Sequence, residues 1–226
     1  MFLAIDSVFG QCSVALINTQ GDVLSLDTKM GNREQTQQIL PMIDTALKNA
    51  DVNLSALQAL IFNRGPGAFS GIRINTAVVQ ALSVAQDIPC VGVSSLQILA
   101  QTAHKEHGIS QCHALLDARM KQVYCAQYQL QAGIMTQVEN SQEYLLDYDS
   151  CLDDTLALVG NGARLVEAAQ AEVYADIEPN AAILATLGKV QFEQTGGVDA
   201  THALPVYLRN DAWKTLKQQK AHKGLA

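Results

Sequence analysis

Residue types that could do chemistry cluster at a few places in the chain. Phe2-Leu3-Ala4-Ile5-Asp6 and Ala114-Leu115-Leu116-Asp117 are apolar runs that each end on a carboxylate. Such a carboxylate, at the end of a buried strand, is placed to orient a divalent cation beside a phosphate-binding turn. Between them lies Gly65-Pro66-Gly67-Ala68-Phe69-Ser70-Gly71-Ile72-Arg73, entered from the apolar run Ala59-Leu60-Ile61-Phe62. Glycine accepts positive φ and proline presets φ, so the chain turns tightly here. Ser70 is then expected to N-cap the helix that follows. Strand, glycine turn and helix start can cradle a phosphate, because the first helical N–H groups lack internal partners. The two familiar nucleotide motifs are nevertheless absent. No Gly-Lys-Ser/Thr follows, Gly71 comes one residue too late for G-x-G-x-x-G, and a tight turn without a ligand fits equally well. Ser7-Val8-Phe9-Gly10, after Asp6, lacks the glycine–hydroxyl pair that wraps phosphate, which argues against nucleotide hydrolysis. No Ser-His-Asp or Cys-His set can be assembled locally. His104 and His107, with His113 not far on, read as a polar surface without a completed ligand set, so no metal is expected.

The elements that would position these residues follow from hydrophobic periodicity. Phe2–Asp6, Cys12–Ile17 and Val23–Leu26 read as three meandering strands, followed by a helix from about Glu34 to Asn49. That helix has an apolar arc of roughly 160° that includes Ile39, Leu40, Met42 and Ile43, with Pro41 on its polar side. After the glycine turn, a helix from Ile72 to Ala85 carries apolar residues around roughly 240° of its wheel, interrupted by Asn75 and Gln86. Arg73, Thr76, Gln80 and Ser83 form its narrow polar arc. A helix lying on one sheet needs an apolar stripe of only about 100°, so a second cover is expected, preferably another protein. Ile39, Met42, Ile43, Ile74 and Val78, or their neighbours, are the candidates for that partner interface. A strand at Cys90–Val93 and a helix capped by Ser94 or Ser95 close this unit.

A second unit echoes the first. An offset of 111 residues places Asp117 on Asp6, Gln122 on Gln11 and Ala126 on Ala15, which points to an internal duplication. A strand near Ala157–Val159, the turn Gly160-Asn161-Gly162, a helix from Ala163 to about Ala171, a strand near Val173 and a helix from Asn180 to about Gln194 are expected to follow. Two meander-plus-helix units describe an α/β fold of two ribonuclease H-like halves, with mixed sheets flanked by helices. This is the architecture of the actin, sugar-kinase and Hsp70 superfamily. The expected divisions are 1–108, 109–213 and a basic tail, 214–226. In that superfamily the strand-ending carboxylates and their turns face a nucleotide cleft. Asp6, Asp117, Gly160 and Gly162 are read as a degenerate form of it.

Composition narrows the function classes. The chain is 48% hydrophobic with a net charge of −7, which excludes global disorder and a nucleic-acid surface spread over the whole protein. The first residues make no signal peptide and no stretch approaches the roughly 18 apolar residues of a membrane span. Cys12, Cys90, Cys112, Cys125 and Cys151 are odd in number and lack CxxC spacing, as expected of reduced cytosolic thiols. Lys214, Lys217, Lys220 and Lys223 give the tail a local positive charge that could meet nucleic-acid phosphates.

These motifs resemble those of a known family. Ala4-Ile5-Asp6, Arg33 to Met42, Arg64 to Arg73, Gly92-Val93-Ser94-Ser95-Leu96, Asp117-Ala118-Arg119-Met120-Lys121-Gln122-Val123-Tyr124, and Pro205 to Asn210 with Ala212-Trp213 are similar to the TsaB (YeaZ) family. The match runs in order along nearly the whole chain, and GPGxFxGxR together with DARMxxVY is its most specific part. Gln35 stands where the family usually has His. The resemblance implies a bacterial cytoplasmic, non-catalytic scaffold that needs no cofactor. Its implied partner is TsaD, with the ATPase TsaE as a third component. Together they make threonylcarbamoyladenosine next to the anticodon of tRNAs that read codons starting with A. It implies a homodimer when the chain is alone, and contact with tRNA through the complex. It also implies a decayed metal site, since the two ligand positions of the relative's His-x-x-x-His motif are Ser95 and Leu99 here. An independent phosphotransferase and a metallopeptidase are the competing readings. The first needs intact phosphate turns and the second needs those ligands.

Overall fold

The run Phe2-Leu3-Ala4-Ile5 is buried throughout, so the first strand sits at the centre of a sheet covered on both faces. The structure is a computed structural model and describes residues 1–31, 35–152, 155–168 and 170–209. Strand β1 (Phe2–Asp6) pairs antiparallel with β2 (Gln11–Ile17), which pairs antiparallel with β3 (Val23–Met30). On its other side β1 runs parallel to β4 (Ala59–Gly65), and β4 runs parallel to β5 (Cys90–Ser94). The sheet order is 3-2-1-4-5. Successive side chains point to opposite faces of a strand. Leu3 and Ile5 therefore pack with Ile39, Met42, Ile43 and Val79, from helices α1 (Gln35–Asn49) and α2 (Phe69–Gln86). Phe2 and Ala4 pack on the other face with Ile98 from α3 (Ser95–His107) and with Ala181, Leu184 and Leu187 from α4 (Ala181–Thr195).

The second sheet repeats this plan. It is built from β6 (Gln111–Arg119), β7 (Gln122–Gln131), β8 (Ile134–Gln137), β9 (Tyr144–Asp147), β11 (Ala157–Val159) and β13 (Val173–Tyr174), while β10 (Cys151–Leu152) and β12 (Glu167–Ala168) make a separate two-stranded sheet. Its path is 8-7-6-11-13, with 8-7-6 antiparallel and 6-11-13 parallel, while β9 pairs with β7, and β10 with β12. Read from the hairpin end, that is the order of the first sheet, so the expected duplication exists in space. The registers differ by one residue. Ala126 pairs with Ala114, where the sequence offset would pair it with Leu115, the counterpart of Ala4. Helix α3 lies between the sheets, with Leu96, Leu99, Ala100 and Ala103 on the second. The molecule is thus two ribonuclease H-like halves, mixed sheets flanked by helices.

Several local expectations need correction. The α2 N-cap position is Ala68, which has no side-chain cap, so Ser70 lies within the first turn rather than ahead of it. The capping is done elsewhere, by Ser94 on α3 and Asn180 on α4. No helix forms over 163–171 among the described residues. Tight turns (Ala163 N–H to Gly160 O, Leu165 N–H to Gly162 O) lead into β12, because Ala163, Leu165 and Val166 are drawn onto the second sheet's outer face. His113 is a buried β6 residue rather than surface. Assigned by sequence to the second half, α4 packs on the first sheet instead. Its start is fixed there by the Ala181 N–H donating to Ser13 Oγ at 3.0 Å and by Gln11 Nε2 donating to Pro179 O. Arg33, Glu34, Asn210, Ala212, Trp213 and the tail lysines lie outside the described residues. Four cysteines are buried and Cys151 is exposed.

Candidate functional site

The carboxylate that ends β1 is closed off by the chain's own donors. Asp6 is fully buried, and its Oδ1 accepts from Val8 N–H at 2.8 Å. Asn63 Nδ2, on the adjacent β4, donates to both Asp6 oxygens at 3.2 and 3.1 Å. Asn63 Oδ1 in turn accepts from Gly65 N–H at 3.0 Å and from Ser95 Oγ at 2.7 Å. Asn75, in the second turn of α2, donates to Asn63 O at 3.2 Å, and its Oδ1 takes the Ser7 hydroxyl at 2.7 Å. Asn63 is the hub: one amide group joins the ends of β1, β4 and α3. Burial pushes the Asp6 carboxyl up to about 6, against the pull of Val8 N–H and Asn63.

The glycine turn belongs to this closure. Gly71 lies so close to the Ser7 carbonyl that a Cβ there would overlap it, and a Cβ on Gly67 would strike Val8 Cγ1. The space against the turn is taken by Ser7 and Val8, as expected of a tight turn without a ligand rather than of a phosphate cradle. Gly65 opens it with φ +92, a conformation that suits glycine. Of the other turn residues, Ser70 and Arg73 are exposed. Arg73 Cζ lies 3.6 Å from the Phe69 ring centroid, and its Nε donates to Tyr207 Oη at 3.2 Å.

The second carboxylate is engaged differently. Asp117 Oδ1 accepts from Arg119 N–H at 2.7 Å and Tyr148 Oη at 2.8 Å, while Oδ2 pairs with the Arg119 guanidinium at 3.0 Å. Gly160 and Gly162 fold back on β6, with Gly162 N–H donating to Leu115 O at 3.0 Å, and Asn161 Oδ1 accepts from Asp117 N–H at 2.9 Å. Leu99, one turn after Ser95 on α3, is buried in the core against the second sheet. Among the described residues no group of three His, Cys, Asp or Glu could hold a metal ion.

The helix faces correct the expected interface. Ile39, Met42 and Ile43 are 1%, 2% and 4% exposed and belong to the chain's own core, whereas Leu40 is 54% exposed. In α2, the polar Asn75, Thr76 and Ser83 are buried; Asn75 and Ser83 find partners beyond the helix, and the Thr76 hydroxyl donates to Ile72 O one turn back. That rotation leaves Ala77, Ala81, Val84 and Ala85 outside, with Val84 77% exposed and Ile74 and Val78 half-buried at the flank. The residues that sequence reasoning did not assign, Asn63, Asn75 and Ser7, did leave a trace. Asn63 interrupts an apolar strand, and Asn75 interrupts an apolar helix arc.

Known proteins were compared with the chain. Residues 29–195 match the family TsaD: tRNA N6-adenosine threonylcarbamoyltransferase. The tRNA threonylcarbamoyladenosine biosynthesis protein TsaB of Escherichia coli is 34% identical over 95% of this chain and 97% of its own length. That of Haemophilus influenzae is 32% identical over 95% of this chain and 96% of its own. Among solved structures, YeaZ from Pseudomonas aeruginosa superposes with a TM-score of 0.83 at 37% identity, covering 92% of this chain and 99% of that one. An uncharacterized protein described as similar to peptidase YeaZ from Pseudomonas aeruginosa superposes at 0.85 with 36% identity, over 92% and 99% of the two chains.

Proposed function

Because the chain belongs to the TsaB (YeaZ) family of tRNA threonylcarbamoyladenosine biosynthesis proteins, we propose that it acts as a non-catalytic, cytoplasmic subunit. It binds TsaD, with the ATPase TsaE as third component, and supports threonylcarbamoylation of the adenosine next to the anticodon. The observation that carries this reading is the cluster around Asn63. A carboxylate held by an amide and a main-chain N–H, with the phosphate turn filled by Ser7 and Val8, has nothing with which to hold nucleotide or metal. Ser95 supports the same reading, since its hydroxyl is spent on Asn63 rather than offered to a ligand. The peptidase reading is disfavoured on the same ground, as is a phosphotransferase.

The apolar exterior of α2 is the second support. Helix faces pack at about 8–10 Å when the contacting side chains are small, and Ala77, Ala81 and Ala85 provide such a face, with Val84 as a knob. We assign TsaD to it, with Leu40, Ile74 and Val78 at its margin. A second copy of the chain is expected to use overlapping surface when TsaD is absent, so the two assemblies compete. The test is reconstitution with TsaD and TsaE. Modification of a tRNA transcript should require this chain, and Asp6→Asn should leave its rate within about twofold of wild type. Hydrolysis of ATP by the isolated chain that disappears with Asp6→Asn would overturn the non-catalytic reading.

A further inference from the structure

Next to the glycine turn, the β6–β7 hairpin holds three successive non-glycine residues in the left-handed region. Arg119, Met120 and Lys121 have φ values of 60°, 54° and 61°. Side chains resist this conformation, and it persists only where surrounding contacts impose it. Here the contacts are many. Asp117 takes Arg119 N–H, the Arg119 guanidinium and the Tyr148 hydroxyl. Tyr148 N–H donates to Lys121 O at 2.9 Å, and Arg209 donates to the carbonyls of Ala118 and Arg119 at 3.3 and 3.4 Å. What they hold is not core: Met120 is 74% exposed and the Arg119 side chain 87%.

Arg209 also links the hairpin to the aromatic group at the start of α2. Two residues before it, Tyr207 receives Arg73 Nε and lies 6.1 Å from the Phe69 ring. Phe69 and Tyr207 are 43% and 46% exposed. Arg73, Arg119, Lys121 and Arg209 thus gather on one surface of a chain whose net charge is −7. The acids beside them are Asp117, paired with Arg119 and hydrogen-bonded by Tyr148, and Asp147, which accepts from the neutral Gln122 amide at 2.8 Å, so these four cations face two carboxylates. Beyond Arg209 the sequence adds Lys214, Lys217, Lys220 and Lys223.

We propose that this surface receives a single-stranded RNA loop. Exposed aromatic rings and guanidinium planes stack unpaired bases, and cations at the rim meet the phosphates between them. Arg73, backed by Phe69, and the Tyr207 ring supply the stacking faces. Lys121 and Arg119 supply the phosphate contacts, in a hairpin already fixed in shape, so little ordering is lost on binding. The inference rests on the reading of the chain as part of a tRNA-modifying complex and locates the chain's share of the substrate.

The experiment uses the complex with TsaD and TsaE, an unmodified tRNA transcript and its isolated anticodon stem-loop. Arg119→Ala with Lys121→Ala should weaken transcript binding about tenfold at about 0.1 M salt and lower the log–log salt slope by roughly 1.4. Tyr207→Ala should weaken both RNAs about tenfold with the slope unchanged, and Tyr207→Phe should retain most of the affinity. Sedimentation and thermal melts check that each variant folds and assembles. An assembled complex whose RNA affinity and salt slope ignore all these changes refutes the inference alone. Variants that fold but no longer assemble show a protein-docking surface, which also refutes it. A wild-type complex that never forms refutes the underlying reading and the inference with it.

Discussion

Asn63 concentrates several demands on one side chain. Its amide nitrogen holds Asp6, and its oxygen holds Gly65 N–H and Ser95, so polar groups from three elements depend on it. Asp6 itself could be read from sequence, because a carboxylate ending an apolar run is conspicuous. Its partner could not, since an asparagine inside a strand announces neither its direction nor its neighbours. Asp6 makes a pH prediction. Its folded pKa is raised from 3.8 to about 6, so the stability due to the neutral acid is fully present below about pH 4. That stability is lost as pH rises through about 6. Relative to Asp6→Asn, the wild type should lose roughly 3 kcal/mol across this window and change little above it. Denaturant unfolding of both proteins at several pH values measures the difference. A difference that stays constant between about pH 4 and 7 would show that Asp6 ionises without penalty.

At the level of elements, strands were the more legible. Their apolar runs gave the order of both hairpins; β1 and β11 kept their expected bounds, and β2 to β5 ran one to four residues longer. The orientation of α2 was not legible. A wheel that is mostly apolar has no obvious inside, and the choice was made by Asn75 and Ser83 finding partners in β4 and in the loop after α2. The short segment after Gly162 failed for a related reason. Its apolar residues serve the second sheet's outer face, and tertiary burial overrode helical propensity. The exposed face of α2 gives the second prediction. Val84→Glu should leave the isolated chain's melting temperature within a few degrees, since Val84 is 77% exposed. It should weaken TsaD association at least about 100-fold, as expected for a charge buried without a partner at an interface core. Analytical ultracentrifugation against Leu40→Asp separates the centre of the interface from its margin. Unchanged association in both variants places TsaD elsewhere.

At the level of the whole molecule, the duplicated 3-2-1-4-5 order could be anticipated, but the route of the chain between the halves could not. Helix α4, encoded after the second sheet, covers Phe2, Ala4, Ala15, Ile17 and Ile61 of the first. Arg64 and the nearly buried Glu143 pair across the halves at 3.2 Å, and Val206 N–H donates to Arg64 O at 2.9 Å. Sequence position suggested a boundary at 108/109, whereas the packing makes the first half depend on residues far beyond it. A fragment of residues 1–108 should therefore lack a cooperative thermal transition and bind a hydrophobic dye, as expanded states with exposed apolar surface do. Adding residues 109–209 in the same chain should restore the transition. A sharp melt of the short fragment would show that α4 is dispensable.

The same crossing sets a timetable for biosynthesis. Bacterial chains emerge at about 5–20 residues per second, and domains generally fold in the order they appear. The first sheet can pair its strands soon after β5 leaves the ribosome, yet the helix that seals one of its faces is encoded at Ala181–Thr195. For on the order of 4 to 18 s, that face has no permanent cover. During the interval that apolar face is open to a ribosome-bound chaperone, and slowing translation between β5 and α4 would lengthen its exposure to aggregation without altering a single native contact.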